Sequence, residues 1–479
     1  MNIKLEHFGP VSSVDYDLSK NIIITYGGNN IGKSYSMKII YLVLKYMKKM
    51  VSFIHLRAMY AVDDKGDKDI RYLIQHEILD FIDSDKNSHD ITAQVERSVG
   101  ITIQVFLVEQ LRNALINTFN TQPESKTGDA LITIIFDNKQ ELKIYPYDDR
   151  VEYRNPKLKP IILKKTSHYY HKHRNLSKEY DIFVQVSPDD KGRKYIRIPL
   201  ELTLDYISGI ASDIVDEFDR NIGNVYYLPA SRSGISLGLN SIAPLLAKMS
   251  QKANLLTNAT FSLPNIPEPV SDYYINITSI NSKNIASSDT YAKEIEHDII
   301  NGTVKFDDKT KSLVYHDDQI GMDFGMSDVS TMVSELSPLI TFLRYQIDVS
   351  SRAKSGGTPV IFIEEPEAHL HPENQVKLIR ILAQLAQNGI KLMISSHSNY
   401  VFNALNNMIL GSELDYKTYD PIYMKKDITG SIALHMKIDK LGAQDDNFAG
   451  TAQKLYEERQ TYIEELVRNG KDTGDDSSD

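Results

Sequence analysis

The sequence predicts an α/β fold organised around a buried parallel sheet. Three observations carry this. An apolar run, Asn21-Ile22-Ile23-Ile24-Thr25-Tyr26, leads into a glycine-rich turn and then a helical stretch from Lys33 to about Met50. Far along the chain, strand-like and helix-like segments alternate: 359–363, 373–387, 390–395 and 399–409. The two strands in that alternation are largely apolar, with Val360-Ile361-Phe362-Ile363 and Leu392-Met393-Ile394 at their centres, which suits strands covered on both faces rather than half-exposed ones.

The bulk properties set limits. A length of 479 residues is room for about three domains, or for one enlarged α/β domain carrying an insertion. The net charge of -10 argues against a generally basic nucleic-acid coat, though a local basic patch remains compatible with it. With no cysteine, disulfides, thiolate catalysis and Cys-ligated zinc are excluded. The start, Met1-Asn2-Ile3-Lys4-Leu5-Glu6, lacks the basic-then-apolar pattern of a signal peptide, and no apolar run approaches a membrane span. The expectation is a cytoplasmic chain with no membrane partner.

Taken in order, residues 2–26 read as two short strands before the turn and the helix from Lys33. Between 69 and 120 the apolar residues Ile70, Leu73, Ile74, Ile78, Leu79 and Phe81 recur at helical spacing. After Thr121-Gln122-Pro123 the pattern changes to strands: 131–136 and 142–145 form a hairpin around Asp137-Asn138, and 180–186 with 194–198 form another. A helix is expected over 202–219, a short strand over 225–228 and weak helical character over 240–300. Short strands follow near 303–306, 312–315 and 321–324, then a helix over 333–349 before the strand–helix alternation. A last helix covers 451–468, and the acidic end, Gly474-Asp475-Asp476-Ser477-Ser478-Asp479, has the composition of a disordered tail.

The glycine-rich turn is chemically specific. Gly27-Gly28-Asn29-Asn30-Ile31-Gly32-Lys33-Ser34 fits the full G-x-x-x-x-G-K-[ST] pattern, with a strand before it and a helix after it. Glycines let the backbone curl so that successive N–H groups point at phosphate oxygens, and the helix N-terminus adds partial positive charge. The Lys33 ammonium can reach the β- and γ-phosphates of a nucleotide, while the Ser34 hydroxyl is a hard oxygen ligand suited to Mg²⁺. Gly27, Asn29, Asn30, Gly32, Lys33 and Ser34 are therefore the candidate ATP-binding residues.

A second constellation sits at the strand ends. Val360-Ile361-Phe362-Ile363 runs into Glu364-Glu365. A buried parallel strand delivers its C-terminal end to the crevice where ligands bind. Two acids there suit two tasks, a metal carboxylate (Glu364) and a general base for the attacking water (Glu365). The next strand ends in Ser395-Ser396-His397-Ser398, and His397 is placed to hydrogen-bond a γ-phosphate.

These pieces resemble the ABC-type ATPases of the SMC/RecF/OLD group. Glu365-Pro366-Glu367-Ala368-His369-Leu370-His371-Pro372 looks like that group's run from Walker B into the D-loop, and Ser395-Ser396-His397-Ser398 looks like its switch-histidine segment. The segments 226–234 and 332–339 resemble stretches seen in stand-alone members, among them ATPase subunits of anti-phage systems of the PARIS, Septu and Gabija/OLD kind. The resemblance covers roughly 1–50 and 222–410, about half of the chain. It implies an α/β P-loop NTPase: an ABC/SMC-type head with a mixed α/β insertion between Walker A and signature. Its expected parts are 1–50 (Walker A half), 51–221 (insertion), 222–415 (signature, Walker B, D-loop and switch histidine), 416–470 (C-terminal strands and helix) and the tail 471–479. It further implies ATP and Mg²⁺ as cofactors, hydrolysis of ATP to ADP and phosphate, a homodimer or higher homo-oligomer clamped around nucleotide, and a separately encoded effector such as a nuclease or toxin.

The chain departs from the group's pattern in places. The signature falls at Asp328-Val329-Ser330-Thr331-Met332, where Ser330 has no following glycine. The Ser330 hydroxyl with its helix N-terminus is the candidate contact to a partner's γ-phosphate; a plain helix cap is the other reading. Glu364 stands where Asp is commoner, and Arg232 is the candidate residue near the Q-loop. The pair His369 and His371 is better read as D-loop than as a zinc site.

Within the insertion, Lys157 to Lys178 carries seven Lys or Arg residues and no acid, interleaved with His168, Tyr169, Tyr170, His171 and His173. Such a stretch suits nucleic acid, or equally a solvated loop or protein surface. Three functions thus stand against one another: a switch that controls an effector in defence, a DNA-repair clamp of RecF/Rad50 type acting directly on DNA, and a non-hydrolysing sensor in which ATP is structural. A fused Toprim nuclease is rejected, because only about seventy residues follow the last sheet helix and a Toprim domain needs roughly a hundred.

Overall fold

The computed structural model describes residues 1–59, 88–120, 129–156, 160–165, 180–185, 195–199, 217–235, 266–348, 357–445 and 448–468, with a few single positions between them. The chain opens with β1 (Asn2–Phe8), β2 (Val11–Asp17) and β3 (Ile22–Gly27), followed by α1 (Lys33–Met59). This reach holds three strands where the sequence suggests two. The extra one arises because Gly9-Pro10 turns the chain so tightly that Phe8 pairs with Val11. Gly9 sits at φ +50, a conformation that favours glycine. Helix α1 runs past its expected end near Met50, as neither Gly nor Pro interrupts it there.

The middle of the chain holds β4 (Ser88–Asp90), α2 (Thr92–Ile103), α3 (Glu109–Phe119), β5 (Leu131–Ile135), β6 (Glu141–Tyr145), β7 (Arg150–Arg154), β8 (Ile161–Lys165), β9 (Tyr180–Gln185) and β10 (Tyr195–Pro199). A single π turn, Gln104–Val108, joins α2 to α3. The combined stretch Thr92–Phe119 is long and apolar enough to cross a membrane by length and composition, a length the sequence reading did not find. Here its Val95, Val99, Leu107, Leu111 and Leu115 are buried in the protein core. The expected 131–145 hairpin is present, and β9 pairs antiparallel with β10. The helical residues Ile70, Leu73, Ile74, Ile78, Leu79 and Phe81, most of the 202–219 helix and residues 166–178 of the basic stretch lie outside the described residues.

The second half holds β11 (Ile222–Leu228), α4 (Glu268–Thr278), α5 (Asp289–Ile295), β12 (Gly302–Asp307), β13 (Ser312–Asp317), β14 (Met322–Gly325), α6 (Thr331–Tyr345), β15 (Thr358–Glu364), α7 (Pro372–Gln387), β16 (Lys391–Ser396) and α8 (Asn399–Leu410). It closes with β17 (Tyr419–Asp427), β18 (Gly430–His435), the short β19 (Ile438–Asp439) and β20 (Gly442–Ala443), and α9 (Ala449–Arg468). Helix α9 is rooted by Phe448, whose ring meets Tyr26 edge-on at 6.0 Å.

Eleven strands form one sheet in the order β11-β15-β16-β3-β17-β18-β2-β1-β5-β6-β7. From β11 to β17 every pairing is parallel. Beyond β17 the sheet turns mostly antiparallel, and β5 pairs directly with β1. Residues 131–154, expected within the insertion, thereby extend the sheet that carries the glycine-rich turn. Every residue of β3 and β15 is buried, which places both as interior strands. Their side chains alternate between two cores: Ile23, Phe362 and Met393 face the α1 side, while Ile24, Ile363 and Ile394 face the α7–α8 side. The C-terminal ends of β3, β15 and β16 therefore converge at one edge.

Candidate active site

The loop between β3 and α1 is shaped by residues with positive φ: Gly27 at +141, Asn30 at +57 and Gly32 at +89. A Cβ on Gly27 would lie 2.5 Å from the Met424 carbonyl oxygen, so β17 buttresses the loop from below. Gly28, Asn29 and Asn30 are exposed at the loop tip, and Ser34 is half-buried in the first turn of α1. Lys33, by contrast, is buried, and its ammonium donates to the carbonyls of Gly27 (3.1 Å) and Gly28 (2.8 Å).

Across from this loop stand the ends of β15 and β16. The Lys33 ammonium lies 2.8 Å from Nε2 of His397, and the same Nε2 lies 3.5 Å from Oε1 of Glu365. Burial pulls the Lys33 ammonium down to about 8, against the opposing pull of Glu365 and Glu367. Burial and the adjacent Lys33 charge also lower His397, so the imidazole is neutral at pH 7 and its Nε2 accepts from the charged lysine.

Glu365 itself is held in an unusual conformation. Its φ of +45 lies in the left-handed region, which costs a non-glycine residue about 1–3 kcal/mol. The turn directs its side chain out of the strand line, half-exposed beside His397. The carboxylate of Glu364 is buried instead; it accepts from the Tyr227 hydroxyl and lies 3.7 Å from the Lys38 ammonium. Glu367 is buried too. Its Oε1 accepts from the Ser396 hydroxyl (2.7 Å) and from the His397 main-chain N–H (2.8 Å), pinning the histidine segment to the turn after β15. Burial raises the Glu367 carboxyl above its ordinary value. Ser398 caps α8 by accepting from the N–H groups of Tyr400 and Val401.

The structure thus brings Lys33, Glu365 and His397 together, with Glu364 on the adjoining strand end. Ser330 is not in this cluster. It is exposed and caps α6, accepting from the Val333 N–H at 3.4 Å, and no hydrogen bond among the described residues links it to the loop. His369, at φ +63, and His371, which precedes Pro372 at the start of α7, join no group of three or more metal-ligating side chains among the described residues. Sequence reasoning did not single out Tyr227, Lys38 or Glu367. Glu367 lies inside the recognised Glu365–Pro372 run, so its position was visible although its contact to β16 was not.

The family described as AAA ATPase domain matches residues 1–402 of the chain. No curated protein matches it. Among solved structures it is similar to an SMC head bound to the C-winged helix domain of ScpA. The identity is 12%, covering 92% of this chain and 98% of that one, with a TM-score of 0.35. It is also similar to the SMC head domain from Thermotoga maritima, at 11% identity over 91% of this chain and 98% of that one, with a TM-score of 0.34.

Proposed function

Because this chain belongs to the AAA ATPase domain family, we propose that its ATP hydrolysis runs a switch in which two copies close head to head around ATP and control a separate effector. The observation that carries the site assignment is the cluster Lys33–His397–Glu365, linked at 2.8 Å and 3.5 Å through one ring nitrogen. An ammonium, a neutral imidazole and a half-exposed carboxylate converge at the mouth of a phosphate-binding turn.

On this reading the N–H groups of the loop from Gly27 to Ser34, with Asn29 and Asn30 at its tip, surround the β- and γ-phosphates. Lys33 exchanges the Gly27 and Gly28 carbonyls for phosphate oxygens. Glu365 accepts a proton from the attacking water as the water oxygen bonds to the γ-phosphorus. The bond from that phosphorus to the bridging oxygen breaks, and ADP leaves with the electron pair. Once Lys33 has turned from Nε2 to the phosphates, His397 in its Nε2–H tautomer donates to a γ-phosphate oxygen and registers its loss. The Ser34 hydroxyl and the Glu364 carboxylate are hard oxygen donors that fit Mg²⁺, which when bound neutralises phosphate charge. Ser330 and the N-terminus of α6 from a second copy close the exposed side of the γ-phosphate and exclude water. Loss of that contact after hydrolysis loosens the pair.

The sequence resemblance to ATPase subunits of anti-phage systems supports a cytoplasmic defence role with a nuclease or toxin as effector. The basic stretch 157–178 favours the alternative, direct action on DNA. Purifying the Glu365→Gln form from its native host with ATP, followed by mass spectrometry and nucleic-acid analysis, separates the two. A co-purifying protein supports the switch, and DNA alone supports the clamp. Glu365→Gln should retain ATP and accumulate dimer, while Lys33→Ala should lose nucleotide binding. Undiminished turnover in Glu365→Gln removes Glu365 as the base.

A further inference from the structure

The peptide joining Glu364 to Glu365 is gripped at both of its polar groups. Its N–H donates to the Ser395 carbonyl at 3.0 Å. Its carbonyl accepts from Nη1 of Arg232 at 2.9 Å. Arg232 is 2% exposed, and it also donates from Nε to the Glu335 carbonyl (3.0 Å) and from Nη1 to the Pro229 carbonyl (3.2 Å). The carboxylate of Glu335 holds Arg232 in turn, accepting from its main-chain N–H at 2.9 Å and lying 3.5 Å from Nε. Ser233 adds a hydroxyl donor to the same carboxylate at 2.6 Å. Glu335 lies on α6, five residues after Ser330.

We propose that Arg232 is a positioning residue for Glu365, fixing the Glu364–Glu365 peptide against α6 so that the left-handed turn at Glu365 holds its carboxylate beside His397. The inference rests on Glu365 being the general base. Its physical ground is specific. A peptide plane held by its N–H alone can rotate about that bond, and the next residue's side chain swings with it. A second grip on the carbonyl stops the rotation. The planar guanidinium suits the task, since its fork spans two carbonyls from different segments at once. An ammonium carries the same charge but has no rigid fork. Nε of the same guanidinium reaches the helix that Ser330 opens, so one side chain ties the acid-bearing strand end to that helix.

The test uses the full chain with Mg²⁺, a fluorescent ATP analogue for affinity and phosphate release for turnover. Arg232→Lys should lower kcat on the order of 10²-fold, the effect of a displaced reacting group, while analogue affinity stays within about threefold. Glu335→Gln keeps the shape but turns one of the two accepting oxygens into a donor and removes the charge that seats the guanidinium, and should lower kcat in the same direction with affinity held. In a Glu365→Gln background Arg232→Lys should cost nothing further, because the group it positions is gone. Turnover unaltered in Arg232→Lys overturns the inference, as does an equal further loss in the Glu365→Gln background or a fall in affinity that matches the fall in kcat. Loss of folding in both Arg232→Lys and Glu335→Gln assigns the pair a purely structural role and overturns it too. Undiminished turnover in Glu365→Gln alone is a different result, which defeats the assignment of the base.

Discussion

The Lys33 ammonium and Nε2 of His397 lie 2.8 Å apart, so the loop lysine and the histidine at the end of β16 form one hydrogen-bonded pair. On the proposed reading, phosphate entering the loop takes Lys33 from three partners: two loop carbonyls and one imidazole. Lys33 thereby ties the loop to the end of β16.

The first prediction concerns pH. Lys33 sits at about 8, pulled down first by burial, so it is charged below that value and neutral above it. A neutral amine loses its attraction for phosphate. ATP affinity of the free enzyme, and kcat/KM with it, should fall as pH rises through about 8. A profile flat to about pH 10 counts against the placement of Lys33 on the phosphates.

Glu367 gives a contrast between two substitutions. Glu367→Ala strips the partner from two donors, the Ser396 hydroxyl and the His397 N–H. It should cost about 2–4 kcal/mol of stability and lower turnover by freeing the histidine segment. Glu367→Gln keeps an acceptor at Oε1, and burial already pushes the acid toward its neutral form. Its cost should stay within about 1 kcal/mol in denaturant unfolding. Equal losses in the two variants would show that the hydrogen bonds from β16 are not what Glu367 supplies.

Adjacent glycines in the loop should behave oppositely. Gly28→Ala meets nothing within 4 Å and should leave thermal stability nearly unchanged. Gly27→Ala drives its Cβ to 2.5 Å from the Met424 carbonyl at a φ of +141, and should cost about 1–3 kcal/mol with weakened nucleotide binding. Differential scanning calorimetry of both variants checks this; similar melting temperatures would contradict the buttressing by β17.

His435 lies between two carboxylates, with Nδ1 2.8 Å from Asp420 and Nε2 3.1 Å from Asp15. Hydrogen bonds that it donates to Asp15 and then to Asp420 raise it to about 10. A histidine raised in the folded state stabilises fully below its unfolded value of about 6.5. That stabilisation is lost as pH rises through about 10. His435→Gln should therefore lower the melting temperature at neutral pH and make no difference above about pH 10. The site is 38% exposed, so solvent screening limits the effect to about 1 kcal/mol. An unchanged gap between the two proteins at high pH would show that packing, not charge, is lost.

The parts legible in the sequence are those whose chemistry is local. The turn at Gly27–Ser34, the acid pair after β15 and the histidine after β16 each announce themselves by residue type and by the strand before them. Their convergence follows because parallel interior strands bring their C-terminal ends to one edge. What holds them was not legible. Tyr227 and Arg232 reach Glu364 across more than 130 positions of chain, and no spacing encodes such a contact. The joining of β5 to β1 was equally hidden, since a strand's periodicity reports its faces and not its neighbour. Ser330 shows the limit from the other side. Its capping bond suits a helix start, and a capping serine reads the same whether or not a second copy ever meets it.

Ile23 and Ile24 are neighbours in sequence yet belong to different interiors, because β3 is a partition between two packed compartments. The compartments touch through backbone rather than through shared side chains. A void opened on one side is not refilled from the other, so paired truncations across the wall should add their costs, while paired truncations of touching residues within one compartment should not. The side under α1 can therefore be repacked without refitting the side under α7 and α8, provided the wall itself is left alone.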